Sequence, residues 1–227
     1  MNVDLPDETE ETDLVGKGEL QIETAFLFNS YKDSKKSFIG QGMIRYGLSH
    51  RLEVRMSVED GKNRDRYINE TVQSTYPLAA SAKASIIKDI NGLPDITLVG
   101  YIKLPFTSKT KEQTRYWSPL ILAAFQNKLS EKWKLEYNWG IQQEAYSANW
   151  VWTGNVSLHY KIVKPLEVFT EYYAQYDKGS PPQHNVGGGL AYQINKALEV
   201  YVAGGSTVHY EESNYFMNGG LAVRFAK

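Results

Sequence analysis

From Gly18 to the C-terminus, apolar and polar residues alternate with a period of two. Leu52, Val54, Met56 and Val58 alternate with Glu53, Arg55, Ser57 and Glu59. Trp133, Leu135, Tyr137, Trp139 and Ile141 alternate with Lys134, Glu136, Asn138, Gly140 and Gln142. Val156, Leu158 and Tyr160 stand against Asn155, Ser157 and His159, and Leu166, Val168 and Tyr172 against Glu167 and Glu171. Leu198, Val200 and Val202 face away from Glu199, Tyr201 and Ala203, and Leu221, Val223 and Phe225 away from Gly220, Ala222 and Arg224. Successive strand residues point to opposite faces, so this alternation marks sheet with one apolar face. Further strands are predicted over residues 19–28, 38–48, 78–87, 96–104, 118–126 and 186–194, about twelve strands in all. The segment 118–126 is apolar on both faces, so its register stays open. No segment carries a helical period.

The connections alternate in length. Tight turns fall at residues 49–51, 88–94, 130–132, 163–165 and 195–197, and the longest charged connection runs over 60–76. Short turns on one rim and long loops on the other are the pattern of transmembrane antiparallel β-barrels, with the short turns periplasmic. An even strand count puts both termini at that rim. The longest apolar run, Pro119 to Phe125, is far short of the roughly 20 residues a membrane helix needs. The mean hydropathy is negative, which a barrel tolerates because only alternate strand residues meet lipid. A soluble barrel would turn the apolar register inward, and twelve strands would then enclose a very large apolar cavity.

Sixteen tyrosines and five tryptophans sharpen this picture. Tyr46, Trp133, Tyr160, Tyr192 and Phe225 share the apolar register and lie close to short turns or the chain end. They predict an aromatic ring at one lipid–water interface, and Phe28, Trp139, Trp152, Tyr172 and Phe216 a second ring at the other. The expected location is the bacterial outer membrane, with its lipid as the barrel's surroundings.

Residues 1–17 differ. Asp4, Asp7, Glu8, Glu10, Glu11 and Asp13 form an acidic run without periodicity, a tail or lumen plug preceding a barrel of residues 18–227. Met1 is followed at once by Asn2, Val3 and Asp4 without an apolar core, which reads as a mature form with an added or renumbered start. Pro6 opposes a helix, so an extended path is expected. The lumen register carries Glu19, Glu23, Arg45, Glu53, Arg55, Lys83, Lys103, Glu136, His159, Glu167, Glu171, Glu199 and Arg224. Its cations cluster on the early strands and its carboxylates on the later ones, which would set a transverse field across a narrow lumen. Local pairing competes with that reading, because buried charges must be compensated. Arg45 and Glu53 flank one turn, His159 and Glu167 another, and Glu19 meets Arg224 on closure. Ten extended residues span up to ~33–36 Å, so the tail's carboxylates can reach Arg45, Arg55, Lys83 and Lys103.

Little else suggests chemistry. A net charge of −1 calls for no nucleic acid, and the absence of cysteine excludes disulfides and thiolates. There is no phosphate loop, H-E-x-x-H or G-x-S-x-G. His50, His159, His184 and His209 are scattered, and Asp60, Asn63, Asp65, Asn69 and Glu70 occupy one predicted loop without EF-hand order. No metal, cofactor or catalytic residue is expected. Ser157 and His159 share a face, as a barrel phospholipase would need, but that face looks into the lumen and not at lipid.

Three stretches carry a family resemblance. Asp4-Leu5-Pro6-Asp7-Glu8-Thr9-Glu10-Glu11 leads into Gly16-Lys17-Gly18-Glu19-Leu20-Gln21-Ile22-Glu23-Thr24-Ala25-Phe26. Arg45-Tyr46-Gly47-Leu48-Ser49 leads into Leu52-Glu53-Val54-Arg55, and the chain closes with Asn218-Gly219-Gly220-Leu221-Ala222-Val223-Arg224-Phe225. Together they resemble the barrel family named for the MetA-pathway (meta-pathway) of phenol degradation, whose members are labelled outer-membrane transporters. Leu5 stands where that family has arginine, and Glu11 where it has serine. The resemblance implies an outer-membrane barrel and uptake of small hydrophobic or aromatic solutes. The expected function is passive passage of small solutes, not catalysis. The alternative is an accessory barrel working with other outer-membrane proteins.

Overall fold

The computed structural model describes residues 1, 3–5, 8–31, 36–65, 70–75, 77–107, 116–143, 149–179, 181–209 and 214–225. The strands are β1 (Leu20–Tyr31), β2 (Lys36–Gly47), β3 (Leu52–Asp65), β4 (Glu70–Thr75), β5 (Leu78–Ile87), β6 (Asp95–Leu104) and β7 (Ser118–Lys128). Then follow β8 (Trp133–Gln143), β9 (Trp150–Val163), β10 (Leu166–Asp177), β11 (Gln183–Asn195), β12 (Leu198–His209) and β13 (Asn214–Phe225). The helical element among the described residues is a three-residue 3₁₀ turn, Pro105–Thr107. No described helix is long and apolar enough to cross a membrane.

Neighbouring strands pair antiparallel, and β1 closes the ring by pairing with both β2 and β13. Leu20 lies opposite Phe225 on one side and Tyr46 on the other. The barrel is a closed, twelve-stranded, all-antiparallel sheet. Twelve positions accommodate thirteen strands because β4 and β5 share the place beside β3: Ser57 pairs with Ala79, and further along Asp60 pairs with Thr75. Pro77, which has no N–H to give to a ladder, lies at the break. Here the structure departs from the expected 60–76 loop: Asp60, Asn63 and Asp65 belong to a β3–β4 ribbon, and Asn69 lies outside the described residues. Val72 is the one strongly apolar residue among residues 60–65 and 70–75, so no hydrophobic period marks the ribbon in the sequence.

Closure inverts the usual polarity. Phe26, Met56, Ile121, Trp139, Val202 and Met217 point outward and are about half exposed or more. The fully buried large side chains include Arg45, Lys83, Glu23, Glu53 and Glu136, all facing inward. The register of β7 is settled by its neighbours: Ile121 points out, while Leu122 and Ala124 pack inside against Val99, Leu120 and Tyr101.

Tyr46, Trp133, Tyr160, Tyr192 and Phe225 lie on the outer face beside the short turns, with the Trp133 and Tyr160 rings 4.5 Å apart. Toward the other rim, Trp139 stacks on Trp152 at 5.4 Å, and Phe28 and Tyr172 also face outward. Phe216 corrects the expected outer ring. On β13 the odd-numbered Tyr215, Met217, Leu221 and Phe225 face out, so Phe216 faces the lumen, 6.0 Å from Tyr173. Its ring fills space left by two glycines; a Cβ on Gly205 would lie 2.4 Å from it.

The outward register predicts a position-specific penalty. Val202→Arg puts a charge in the apolar band and is expected to cost ~2–4 kcal/mol of folding free energy in lipid. Ser57→Arg, facing the interior, should cost little by comparison. Urea titration of the barrel in vesicles measures both, and equal losses would contradict the assigned faces.

Candidate functional site

The interior is organised around residues 1–17. Lys17 bridges Gly47 at the short-turn rim, and Val15 N donates to Glu53 Oε2 at 2.6 Å. Moving toward the N-terminus, Thr12 touches Gln126 and accepts from Thr97 through its carbonyl. Glu10 N donates to Asn138 Oδ1 at 2.6 Å, and Glu8 N and the Thr9 hydroxyl donate to Glu171. The chain then returns: the Leu5 carbonyl accepts from Asn218, and Asp4 N donates to Glu23 Oε2 at 3.0 Å. These partners come from strands on all sides of the barrel, so the tail lies across the lumen, in the half nearer the short turns. Asp7 lies outside the described residues.

On the β2–β5 side, three cations meet four carboxylates. Arg45 donates to Glu53 Oε1 at 2.8 Å and Glu23 Oε1 at 2.7 Å, and its Nη1 lies 3.0 Å from Asp4 Oδ2. Arg55 donates to Asp4 at 2.8 Å and to both Glu10 oxygens at 2.7 and 3.1 Å, with its guanidinium over the Tyr101 ring. Lys83 Nζ lies 2.9 Å from both Asp4 oxygens and 3.4 Å from Glu10. Burial alone would raise the Asp4 carboxyl, but Arg45, Lys83 and Arg55 outweigh it and hold Asp4 well below the usual carboxylate range. Glu19 and Arg224 sit 3.8 Å apart at the rim. Lys103 has no ion pair among the described residues and faces open space above the tail.

A second cluster occupies β8–β10. Lys134 Nζ lies 3.0 Å from Glu11, 3.2 Å from Glu136 and 3.8 Å from Glu167. His159 places Nε2 at 3.0 Å from Glu136 and Nδ1 at 2.8 Å from Glu167. Burial pushes the Glu11 carboxyl up to about 8 despite the opposing pull of Lys134, with Glu136 adding to the rise. Asp13 pairs with Lys88 near the turn, and Glu199 lines the space below the tail. Ser157 Oγ is 2.9 Å from His159 Nε2. Glu136 contends for the same nitrogen, and the fully buried Ser157 lines neither cavity around the tail, so this pair lacks the open approach a nucleophile needs. No described group of three or more carboxylate or histidine side chains is placed to hold a metal.

Two cavities flank the tail. One of about 330 Å³ lies toward the short turns, among Lys132, Lys134, Lys161, Lys164 and Glu199. The other, of about 290 Å³, lies toward the long-loop rim, with Tyr101, Lys103, Tyr173 and Phe216 on its walls and Leu5, Glu8 and Glu10 as its floor. Sequence reasoning passed over Lys134, Tyr101, Phe169 and Tyr173. Lys134 was within reach, since it shares the register of Glu136.

A family model described as "Putative MetA-pathway of phenol degradation" matches residues 3–225. No curated protein matches the sequence. Among solved structures, an outer membrane channel from Pseudomonas putida F1 is 13% identical, with a TM-score of 0.75 over 99% of this chain and all of that one. The KdgM porin solved with disordered oligogalacturonate is 12% identical, with a TM-score of 0.58 over 90% of this chain and 99% of that one. The CymD monoaromatic hydrocarbon channel is 6% identical, with a TM-score of 0.53 over 94% and 89%. At these identities the likeness is one of fold.

Proposed function

The chain belongs to the family described as "Putative MetA-pathway of phenol degradation", and from that premise we propose that it is a passive outer-membrane channel for small solutes. Its charged lumen is narrowed by its own N-terminal tail, and both termini lie on the periplasmic side. The observation that carries this reading is the pair of cavities on either side of the tail, inside a closed barrel whose interior is polar and whose exterior is apolar. Such a barrel has no free strand edge and is at home in lipid. The two sets of outward aromatic residues would sit at the lipid–water interfaces.

The tail is matched to the wall it crosses. It turns carboxylates toward Arg45, Arg55 and Lys83, and donors toward Glu171 and Glu23. The tail thus acts as a plug that leaves a narrow route. Tyr101, Tyr173 and Phe216 give the upper cavity flat apolar walls, which suits small hydrophobic or aromatic solutes. The fold's likeness to a monoaromatic hydrocarbon channel agrees with that class.

The test is ion conductance of the purified barrel in a planar bilayer. Discrete steps of small, uniform size are expected. Correctly folded, heat-modifiable protein that inserts without any steps would overturn the channel reading in favour of an accessory barrel.

A further inference from the structure

The cavities above and below the tail share one lining residue among those described, Phe169 on β10. Most other tail–wall contacts are sealed. Across β2–β5 the tail is held by the Asp4 and Glu10 ion pairs. Against β1, β12 and β13, Val3 packs with Ala25, Tyr201 and Ala222 in a buried apolar cluster. Beside β6 and β7, Thr12 is bonded to Thr97 and Gln126.

The wall next to Phe169 is different. Consecutive inward residues of β11 are Gly187, Gly189 and Ala191, none larger than a methyl group, and they span the level at which the tail crosses. The Phe169 ring leans over this strip. A Cβ on Gly189 would lie 2.7 Å from two of its carbons, and on its other side it stacks on His159 with centroids 5.4 Å apart. A bulky ring over a slot of small residues, with open space above and below, has the geometry of a constriction.

We propose that solutes cross the level of the tail past Phe169, beside the β11 wall, and that the Phe169 ring sets the size of what passes. This rests on the channel reading and specifies its route. The ring is buried between His159 on one side and Gly189 on the other, so it closes the strip where the two cavities approach each other. Hydrophobic constrictions of this kind control conduction in other pores.

The chain contains no cysteine, so single cysteines report cleanly. Phe169→Cys is expected to raise conductance above the wild-type level, on the order of twofold, through loss of the ring. A cationic methanethiosulfonate reagent should then lower it stepwise. Ala222→Cys, also inward-facing but buried against Val3 of the tail, should not respond to the reagent. Phe169→Trp should reduce conductance and the largest solute that swells loaded liposomes. Mass spectrometry of reagent-treated, folded barrel gives the same accessibility comparison without requiring conduction. A conducting wild type whose Phe169→Cys form ignores the reagent, or whose Ala222→Cys form is blocked in its place, overturns the route and leaves the channel standing. A wild type that does not conduct overturns the channel reading itself.

Discussion

Arg45→Ala is expected to cost the barrel about 3–5 kcal/mol of folding free energy, the usual penalty for leaving buried charges without their partner. Arg45 is completely buried and touches Glu23, Glu53 and Asp4 at once. Its loss leaves the Glu23 and Glu53 carboxylates without their guanidinium in the interior, while Asp4 keeps Arg55 and Lys83. Urea titration in lipid vesicles should show the loss. Replacing Glu23 and Glu53 by glutamine in the same chain should recover most of it, because the charges then leave together. A cost below about 1 kcal/mol, the range of solvent-exposed pairs, would mean that water already screens the cluster and that it is not a structural lock.

Deleting residues 2–13 should open the lumen, raise single-channel conductance on the order of twofold or more, and move selectivity toward anions. Asp4 and Glu10 bring the tail's charge to Arg45, Arg55 and Lys83, so without them Arg45 keeps Glu23 and Glu53 while Arg55 and Lys83 lose the carboxylates they pair with among the described residues. Glu11 also leaves, taking a hydrogen-bond partner from Lys134. The reversal potential in a salt gradient reads the selectivity, and step size reads the width. A deleted barrel that folds and conducts like the intact chain would show that the tail does not restrict the path. The two experiments separate the tail's roles: Arg45 tests the wall that anchors it, and the deletion tests the volume and charge it contributes.

Much of the architecture is decided by local pattern. Alternation through Leu52–Glu59, Trp133–Gln142 and Leu198–Ala203 assigns each side chain to one of two faces, and short turns at residues 49–51 and 195–197 make neighbours antiparallel. Neither requires knowledge of distant residues, because side-chain direction and turn length act over a few positions. The same alternation sets Arg45, Arg55 and Glu53 on one face, and the carboxylates of Asp4 to Asp13 stand only a few residues ahead of the first strand.

Only the tertiary structure decided the rest. Residues 118–126 are apolar on both faces, and the choice of Leu122 and Ala124 as inward followed from pairing with β6, where they pack with Val99 and Tyr101. Phe216 turned inward because the parity of β13 is set by Leu221 and Phe225, and because Gly187 and Gly205, on other strands, leave room for its ring. Residues 60–65 and 70–75 paired as a ribbon that no hydrophobic period announces. The path of the tail joins residues as far apart as Leu5 and Asn218, the cluster around Asp4 reaches to Lys83, and the strip beside Phe169 takes residues from β9, β10 and β11. Local alternation specifies which face a side chain takes. Which groups then meet depends on closing the ring, and a charge chooses its partner only when the lumen removes water as the competitor.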